Sequence, residues 1–297
     1  MLFIKLLRIF LKTITVAHSP DADDIFMYFA IKFGWVNADG LLFENIALDI
    51  ETLNIEALKN TYDISAISFA LYPKIRNEYA LLRTAVSFGE GYGPKLVKLQ
   101  NTSLKKNFKV ALSGTHTTNA MLFKIAYPNA KIIYKNFLEI ENAVLSGEVD
   151  AGVLIHESIL NFNANLVVER ELWDIWKELC QDEFPLPLGG MALRRSMPIH
   201  RAITCEKTLI KAVFVAHTHQ TMLSKMLIER NLVRVDKNTL QTYLGLYAND
   251  TSIEMSDLQY NAINKLFEIG YNHGFYDQCI DAKNYLIPSE YEELRNN

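Results

Sequence analysis

Three short apolar runs decide the fold class of this chain: KVALS (109–113), KIIYK (131–135) and DAGVLIH (150–156). The residues between them carry apolar side chains at helical spacing, and the second intervening segment ends at Gly147. Strands and helices that alternate with short joints are typical of parallel sheets with helices on their faces. The middle of the chain therefore predicts a small α/β sheet.

Two extended segments, GYGPKLVKL (91–99) and PLPLGGMALRR (185–195), flank this block and resemble a pair of crossovers between lobes. They predict a two-lobed α/β protein with a ligand cleft between the lobes, where small ligands usually bind. The predicted division is an N-terminal extension at 1–12, lobe I at 13–94 plus 192–297, and lobe II at 95–191.

Further strands and helices are indicated outside the central block. ITVAH (14–18) predicts a strand, and the helix after it runs from about Asp24 to Gly34, a residue suited to a helix C-terminus. Hydroxyl residues ahead of apolar runs predict where other helices begin. These are Thr52 for a helix to Lys59, Thr204 for a long helix through Leu227, and Ser256 with Gln259 as a capping box for a last helix ending at Gly274.

Composition excludes several classes of protein. The 297 residues are 49% hydrophobic and 22% charged, so the chain can bury a core and is not disordered. Its net charge of -4 argues against a nucleic-acid partner. Three cysteines without CxxC or CxxH spacing indicate neither a disulfide scaffold nor a zinc site. We expect a cytoplasmic protein.

The first twelve residues resemble the start of an export signal, but Lys5, Arg8 and Lys12 interrupt their apolar run. No uncharged signal core remains, and the segment is too short to span a bilayer. The three cations share one helical face, so an interfacial anchor is one interpretation; an extension before the first strand is the one we favour. Stable membrane insertion is not expected.

Four predicted strands end in small polar residues where a helix follows. In an open α/β sheet, ligands bind at the carboxyl ends of the strands, so these joints are the candidate site if the lobes face each other. The joints are His18-Ser19-Pro20-Asp21, Ser65-Ala66-Ile67-Ser68, Ser113-Gly114-Thr115-His116-Thr117-Thr118 and Ile155-His156-Glu157-Ser158.

The segment SGTHTTNA (113–120) predicts a seat for an anion. Gly114 permits a tight turn, and the hydroxyls of Thr115, Thr117 and Thr118 lie where a helix exposes unpaired N–H groups. Because the lysine of a phosphate loop is missing, one carboxylate is the preferred ligand. Ordinary helix capping is the alternative, and it explains one hydroxyl more easily than three.

The joint SPDADD (19–24) places Asp21, Asp23 and Asp24 at a helix N-terminus. Such acids can act in acid–base chemistry or bind magnesium, but helix capping is the interpretation we favour. Their charge would repel an anion there. The residues from Ser65 to Ser68 are expected to be a buried strand followed by a serine N-cap.

His156 is the candidate catalytic residue. It follows a buried apolar strand, where an imidazole facing a cleft could act as a general base near neutral pH. His116, within the anion seat, is a rival base. Nucleophilic catalysis is not indicated, because there is no GxSxG elbow and no cysteine at a strand–helix joint.

Collinear motifs between about Thr13 and Ala192 resemble one enzyme family, the 1,4-dihydroxy-6-naphthoate synthases of the futalosine route to menaquinone. The similarity is weaker in the C-terminal helices. The motifs that carry it are SP-x-x-x-D-x-F (19–26), DIETLN (49–54), ISAISFALYPKI (64–75), GYGPKLV (91–97), SGTHTTNAMLF (113–123), GEVDAGVLIHES (147–158) and PLPLGGMALRR (185–195).

The resemblance implies a type II periplasmic-binding-protein-like fold and a lyase that needs neither metal nor organic cofactor. The implied reaction converts cyclic dehypoxanthine futalosine, a small carboxylate, into 1,4-dihydroxy-6-naphthoate and dihydroxyacetone. It also implies that His156 is the proton acceptor. The implied substrate contacts are Thr117, Thr118, Asn119, Ser68, Ala66 and Ile67.

One departure from the family lies in the first loop, where Ser-Pro-Asp-Ala-Asp-Asp replaces the common Ser-Pro-Cys-Pro-Asn-Asp. Only Ser19, Pro20 and Asp24 carry over, so no substrate role follows for Asp21 or Asp23. Two other functions stay open: a binding protein that captures a small carboxylate without chemistry, and the chorismate dehydratase of the same pathway. The sequence carries no signal for an oligomeric state.

Overall fold

A computed structural model describes residues 13–38 and 40–288 of the chain. Its strands form two separate sheets, each with helices packed on it. The expectation for residues 1–12 lies outside the described residues. No helix in the described ranges is long and apolar enough to cross a bilayer.

The first sheet has the strand order β2-β1-β3-β11-β4, and β5 also pairs with β11. β1 is parallel to β2 and β3, whereas β11 is antiparallel to β3, β4 and β5. The strands are β1 Thr13–His18, β2 Leu42–Ala47, β3 Ile64–Ser68, β4 Tyr79–Leu81, β5 Ser87–Gly89 and β11 Leu186–Arg194.

The second sheet has the strand order β10-β6-β9-β7-β8. β7 is parallel to β8 and β9, which agrees with the predicted central block, but β6 is antiparallel to β9 and β10. Both sheets are therefore mixed, where the sequence pattern predicted largely parallel strands. The strands are β6 Lys95–Leu99, β7 Lys109–Leu112, β8 Lys131–Tyr134, β9 Ala151–Leu154 and β10 Leu166–Glu171.

Eleven α-helices lie in the described residues, with short 3₁₀ turns at 69–71, 156–159 and 282–285. The last five α-helices follow β11 and include the two longest. The helices are α1 Ala22–Lys32, α2 Ile50–Leu58, α3 Tyr72–Ile75, α4 Thr118–Ala126, α5 Phe137–Leu145, α6 Leu172–Cys180, α7 Ile199–Thr218, α8 Gln220–Glu229, α9 Lys237–Tyr247, α10 Asp250–Ile253 and α11 Asp257–Asn272.

The predicted N-caps have mixed outcomes. The capping box of Ser256 and Gln259 is present at the start of α11. Asp49, rather than Thr52, caps α2, because its carboxylate accepts from the Thr52 backbone N–H. Thr204 lies inside α7 and its hydroxyl donates to the carbonyl of His200 four residues earlier, so the predicted start of this helix is wrong.

Strand β11 shows how the predicted lobe boundary relates to the sheets. The partners of β11 on both sides of the predicted boundary at 191/192 are strands of the first sheet. The strand carries two adjacent glycines, and a Cβ on Gly189 would meet the carbonyl oxygen of Ile67 at 2.8 Å. Close pairing with β3 therefore depends on glycine there. The division into lobes at 13–94 plus 192–297 and 95–191 stays a prediction.

Candidate functional site

The four strand-end joints meet at one cavity. Two of the joints follow strands of the first sheet, and two follow strands of the second. The predicted convergence of these joints is thus present. The lining residues are Ser19, Asp21, Asp23, Asp24, Ile50, Ala66, Ile67, Ser68, Ala85, Ser87, Pro94, Thr117, Thr118, Asn119, Ile155, His156, Leu188, Gly189, Gly190, Tyr243 and Tyr247.

Every substrate-contact residue implied by the resemblance lines this cavity: Ala66, Ile67, Ser68, Thr117, Thr118 and Asn119. No lysine or arginine is among the described residues that line it. An anion bound here would therefore depend on hydroxyls, amides and the N-terminal end of α4 rather than on an opposite charge.

At the N-terminus of α4, the two threonines have different partners. Thr117 is the N-cap, and its hydroxyl oxygen accepts from the Ala120 N–H at 3.1 Å. The Thr118 hydroxyl donates to the Leu188 carbonyl at 2.9 Å and accepts from the Ala70 N–H at 3.2 Å. Capping therefore explains Thr117, while Thr118 connects α4 to β11 of the first sheet and to the 3₁₀ turn at 69–71.

Ser68 is held by a reciprocal pair of hydrogen bonds with Asn54, a fully buried residue of α2. The Asn54 side-chain amide donates to the Ser68 hydroxyl at 3.0 Å, and the Ser68 backbone N–H donates to Asn54 Oδ1 at 2.9 Å. The Ser68 hydroxyl therefore keeps its own proton for a ligand in the cavity.

Three buried side-chain atoms of cavity residues have no hydrogen-bond partner among the described residues: Asp21 Oδ1, Asn119 Oδ1 and His156 Nε2. Buried polar atoms are nearly always paired, because an unpaired one costs about 1–3 kcal/mol. A polar ligand in the cavity would supply the missing partners. The unpaired atoms come from joints of both sheets, which indicates a ligand held between them.

The acidic joint does not cap α1 as the sequence suggested. Asp21 occupies the N-cap position, but its side chain makes no capping bond. Asp23 accepts from the hydroxyls of Ser87 at 2.9 Å and Tyr243 at 3.3 Å. Asp24 accepts from the Ser19 N–H, which precedes the helix, at 2.7 Å. The capping interpretation of these acids is therefore wrong.

Burial and mutual repulsion raise the pKa of all three acids. Burial is the main cause for each, and the neighbouring carboxyls add to it. The pKa of Asp23 rises to about 7 and that of Asp24 to about 6, while that of Asp21 is raised well above its ordinary value. Near neutral pH, the three acids therefore carry fewer than three negative charges between them.

The raised pKa of Asp23 predicts a pH-dependent stability. Its ordinary value is 3.8 and its folded value is about 7, so the folded state binds the proton more tightly. The contribution of this group to the free energy of unfolding is fully present below pH 3.8, and it is lost as the pH rises through about 7. We expect Asp23→Asn to flatten the fall in melting temperature between pH 5 and pH 8. Parallel melting curves for both proteins across that range would contradict this.

The same three carboxyls are the residues that could hold a metal ion. One ligand oxygen from each of Asp21, Asp23 and Asp24 lies within 4.8 Å of the others. Most of their oxygens already accept hydrogen bonds or contact a histidine, and among them only Oδ1 of Asp21 is buried without a partner. A divalent ion would have to displace several of these contacts.

His156 begins the 3₁₀ turn after β9 and has a left-handed backbone with φ of 55°. Its Nδ1 contacts Oδ2 of Asp21, and the ring of Phe137 packs edge-on with 4.8 Å between centroids. Burial lowers the pKa of His156, although Glu157 and nearby aspartates oppose this. The imidazole is therefore neutral near pH 7, as a proton acceptor must be.

The rival base, His116, is not among the residues that line the cavity. Its backbone N–H donates to Oε2 of Glu51 at 3.1 Å. Thr115 is also outside the lining and is exposed. The predicted anion seat is therefore formed by its second half, from Thr117 to Asn119.

Sequence reasoning missed the contribution of the C-terminal helices. Tyr243 and Tyr247 on α9 line the cavity, and their rings lie 4.9 Å apart. Leu188, Gly189 and Gly190 of β11 also line the cavity. The i, i+4 spacing of the two tyrosines was the available signal, but it is equally typical of a core-facing helix.

Comparison with known proteins assigns this chain to a family. Residues 14–272 match the family described as menaquinone biosynthesis. The 1,4-dihydroxy-6-naphthoate synthase of Thermus thermophilus is 27% identical over 259 residues, which cover 86% of this chain and 93% of that enzyme. The resemblance drawn from the motifs is thus confirmed.

Solved structures show the same architecture. A protein of Archaeoglobus fulgidus is 32% identical, with a TM-score of 0.80 over 89% of this chain and 98% of that one. A Candida albicans protein, described as exhibiting the generic periplasmic binding protein fold, is 12% identical with a TM-score of 0.67 over 92% and 93% of the two chains. The predicted two-lobed, periplasmic-binding-protein-like fold is confirmed.

Proposed function

Since this chain belongs to the menaquinone biosynthesis family, we propose that it is a carbon–carbon lyase of that pathway. In this proposal it converts cyclic dehypoxanthine futalosine into 1,4-dihydroxy-6-naphthoate and dihydroxyacetone, with His156 as general base. The observation that carries the proposal is the position of a buried, unpaired histidine nitrogen in the same cavity as a helix N-terminus that can receive a carboxylate.

The substrate's aromatic carboxylate would bind at the N-terminus of α4. Backbone N–H groups in the first turn of a helix have no partners within the helix and lie at the positive end of its dipole. Thr118 and Asn119 provide such groups. The Ser68 hydroxyl proton and the backbone of Ala66 and Ile67 lie on the side of the first sheet and add contacts to the aromatic rings.

The reacting end of the substrate would then lie near His156 and the acidic joint. A neutral imidazole can take a proton from the sugar-derived ring, which allows the carbon–carbon bond to break and the product ring to become aromatic. A cavity formed between two sheets excludes bulk water from this step. Acids at this end would repel the substrate's carboxylate and so favour the orientation with the carboxylate at α4.

An anaerobic incubation tests the proposed reaction. Purified protein is mixed with cyclic dehypoxanthine futalosine in buffer containing EDTA, and products are followed by absorbance and mass. We expect 1,4-dihydroxy-6-naphthoate and dihydroxyacetone in equal amounts. Ligand-induced stabilisation without any product would contradict the lyase and favour a binding protein. Turnover of chorismate instead would favour the dehydratase.

Thr118→Val is expected to weaken substrate binding. The substitution keeps the side-chain shape but removes the hydroxyl that links Leu188 and Ala70, so the N-terminus of α4 loses its fixed position at the cavity. The loss should be about 1–3 kcal/mol, measured as an increase in Kd by calorimetry. Thr115→Val is the matched control, since Thr115 is exposed and outside the cavity. Equal affinities for the two variants would contradict the assignment.

Location in the cytoplasm is part of the same proposal, because the implied reaction belongs to a biosynthetic route within the cell. In the cytoplasm the protein would meet its proposed substrate, a small carboxylate. Fractionation of cells that express the full chain, with an exported binding protein as the marker of the other compartment, tests it. Co-fractionation with that marker would contradict the proposal.

A further inference from the structure

His156 and Asp21 contact each other through the atoms that a histidine base and an orienting carboxylate use. Asp21 Oδ2 lies against His156 Nδ1 within hydrogen-bonding distance. The side chain of Asp21 is 6% exposed and that of His156 is 15% exposed. Because little water reaches the pair, a water molecule cannot easily take the place of either hydrogen-bond partner. The contact therefore restrains the imidazole ring.

The other ring nitrogen of His156 has no partner within the described part of the protein. Nε2 is buried and has no hydrogen-bond partner among the described residues, and His156 lines the cavity. A neutral imidazole carries a proton on one nitrogen and a lone pair on the other. If Nδ1 donates its proton to Asp21, the lone pair is on Nε2. The carboxylate thus selects the tautomer that a base requires.

We propose that Asp21 is a positioning residue, whose carboxylate accepts the Nδ1 proton of His156 and thereby keeps the lone pair on Nε2. This rests on the proposed function, in which His156 is the base. Asp21 lies at the N-cap of α1 without capping it, so helix formation does not explain its side chain. Its backbone N–H donates to the Ser19 hydroxyl at 3.1 Å, which fixes the turn that presents the carboxylate.

The pair joins the two sheets. Asp21 follows β1 of the first sheet, and His156 follows β9 of the second. The next residues along each segment also pair, since the Ala22 N–H donates to Glu157 Oε1 at 2.8 Å. Arg234 lies 3.6 Å from the other oxygen of Glu157. These contacts fix the separation of the two segments and so the approach of Asp21 to His156.

Two further features, one of the His156 backbone and one of its ring, indicate that the imidazole is held in a fixed orientation. A non-glycine residue with φ of 55° costs free energy, and surrounding contacts must hold it there. The edge-on Phe137 ring limits rotation of the imidazole, and Arg234 lies over that same ring at 5.1 Å from its centroid. The carboxylate of Asp21 is the polar partner that completes this restraint.

The tautomer can be read directly in the full-length protein. Histidine labelled with ¹⁵N gives separate signals for protonated and lone-pair nitrogens, and His156→Asn identifies the signals of His156. We expect Nδ1–H with a lone pair on Nε2 in the wild type, and a shifted or mixed population in Asp21→Asn. The near-isosteric asparagine removes a charge that other carboxyls repel, so the variant should fold; its melting temperature verifies this. A wild-type tautomer with Nε2 protonated would overturn the proposal.

Enzyme kinetics are the second test of the role of Asp21. Asp21→Asn should lower kcat at least ~10²-fold with little change in substrate Kd, because asparagine can donate to Nδ1 and favour the wrong tautomer. Asp174→Asn is the control, because Asp174 is an exposed residue in the first turn of α6. Wild-type kcat together with an unchanged His156 tautomer in Asp21→Asn would overturn the proposal. If wild type converts no substrate, the proposed function fails, while the NMR spectra still decide the role of Asp21.

Discussion

Replacing His156 with asparagine is expected to reduce kcat by about 10²–10⁴-fold, the contribution that a positioned general base makes. Asparagine has similar bulk and polarity but cannot accept a proton near neutral pH. Substrate binding should persist, because the contacts at the N-terminus of α4 come from other residues. Single-turnover product formation and calorimetric Kd measure the two quantities separately.

His273→Asn is the matched control for this prediction. His273 is exposed at the C-terminal end of α11 and is not among the cavity residues. Its replacement should leave both kcat and Kd unchanged. Normal turnover by His156→Asn would remove His156 as the base, and the proton abstraction would have to be assigned to another cavity residue.

Trp176→Ala is expected to lower the free energy of unfolding by about 3–5 kcal/mol. Trp176 on α6 is 0% exposed, and its indole N–H donates to the Phe184 carbonyl at 2.8 Å. Alanine would leave a cavity in the core and a carbonyl without its partner. Chemical denaturation at unchanged m value measures the loss.

Trp173→Ala on the same helix is the comparison. Trp173 is only partly buried, so its truncation removes less surface from the core and should cost clearly less. Equal losses for the two variants would show that burial at position 176 does not set the stability of α6. Substrate affinity should be retained in both, because neither tryptophan lines the cavity.

Local pattern was enough to predict the central block and its joints. The runs that became β7, β8 and β9 are apolar and bounded by helix signals, and the strand-end rule placed Thr117, Thr118 and His156 just after β7 and β9. Asn119 was predicted from the family resemblance alone. Strand ends and helix starts depend on neighbours in sequence, so they can be read without the fold. The capping box at Ser256 has the same local origin.

The other features of the fold depend on residues that are distant in sequence, so local pattern could not predict them. Whether a strand is parallel or antiparallel depends on its partner, so the reversed directions of β6 and β11 could not be inferred from their own residues. The start of α7 at Ile199 was missed because an apolar residue after a proline gives no hydroxyl signal. Tyr243 reaches the cavity only through the packing of α9 against α1.

The sequence by itself determined the α/β class, the four polar joints and the histidine that follows β9. The tertiary structure decided what the acids in SPDADD do. Read locally, Asp21 is a helix cap; in the fold, its carboxylate contacts His156. The neighbouring contact joins Ala22 to Glu157, which are 135 positions apart in the sequence. A side chain's hydrogen-bond partner is set by which segments pack together, and two sheets that meet across a cleft bring together residues whose separation in sequence conceals their contact.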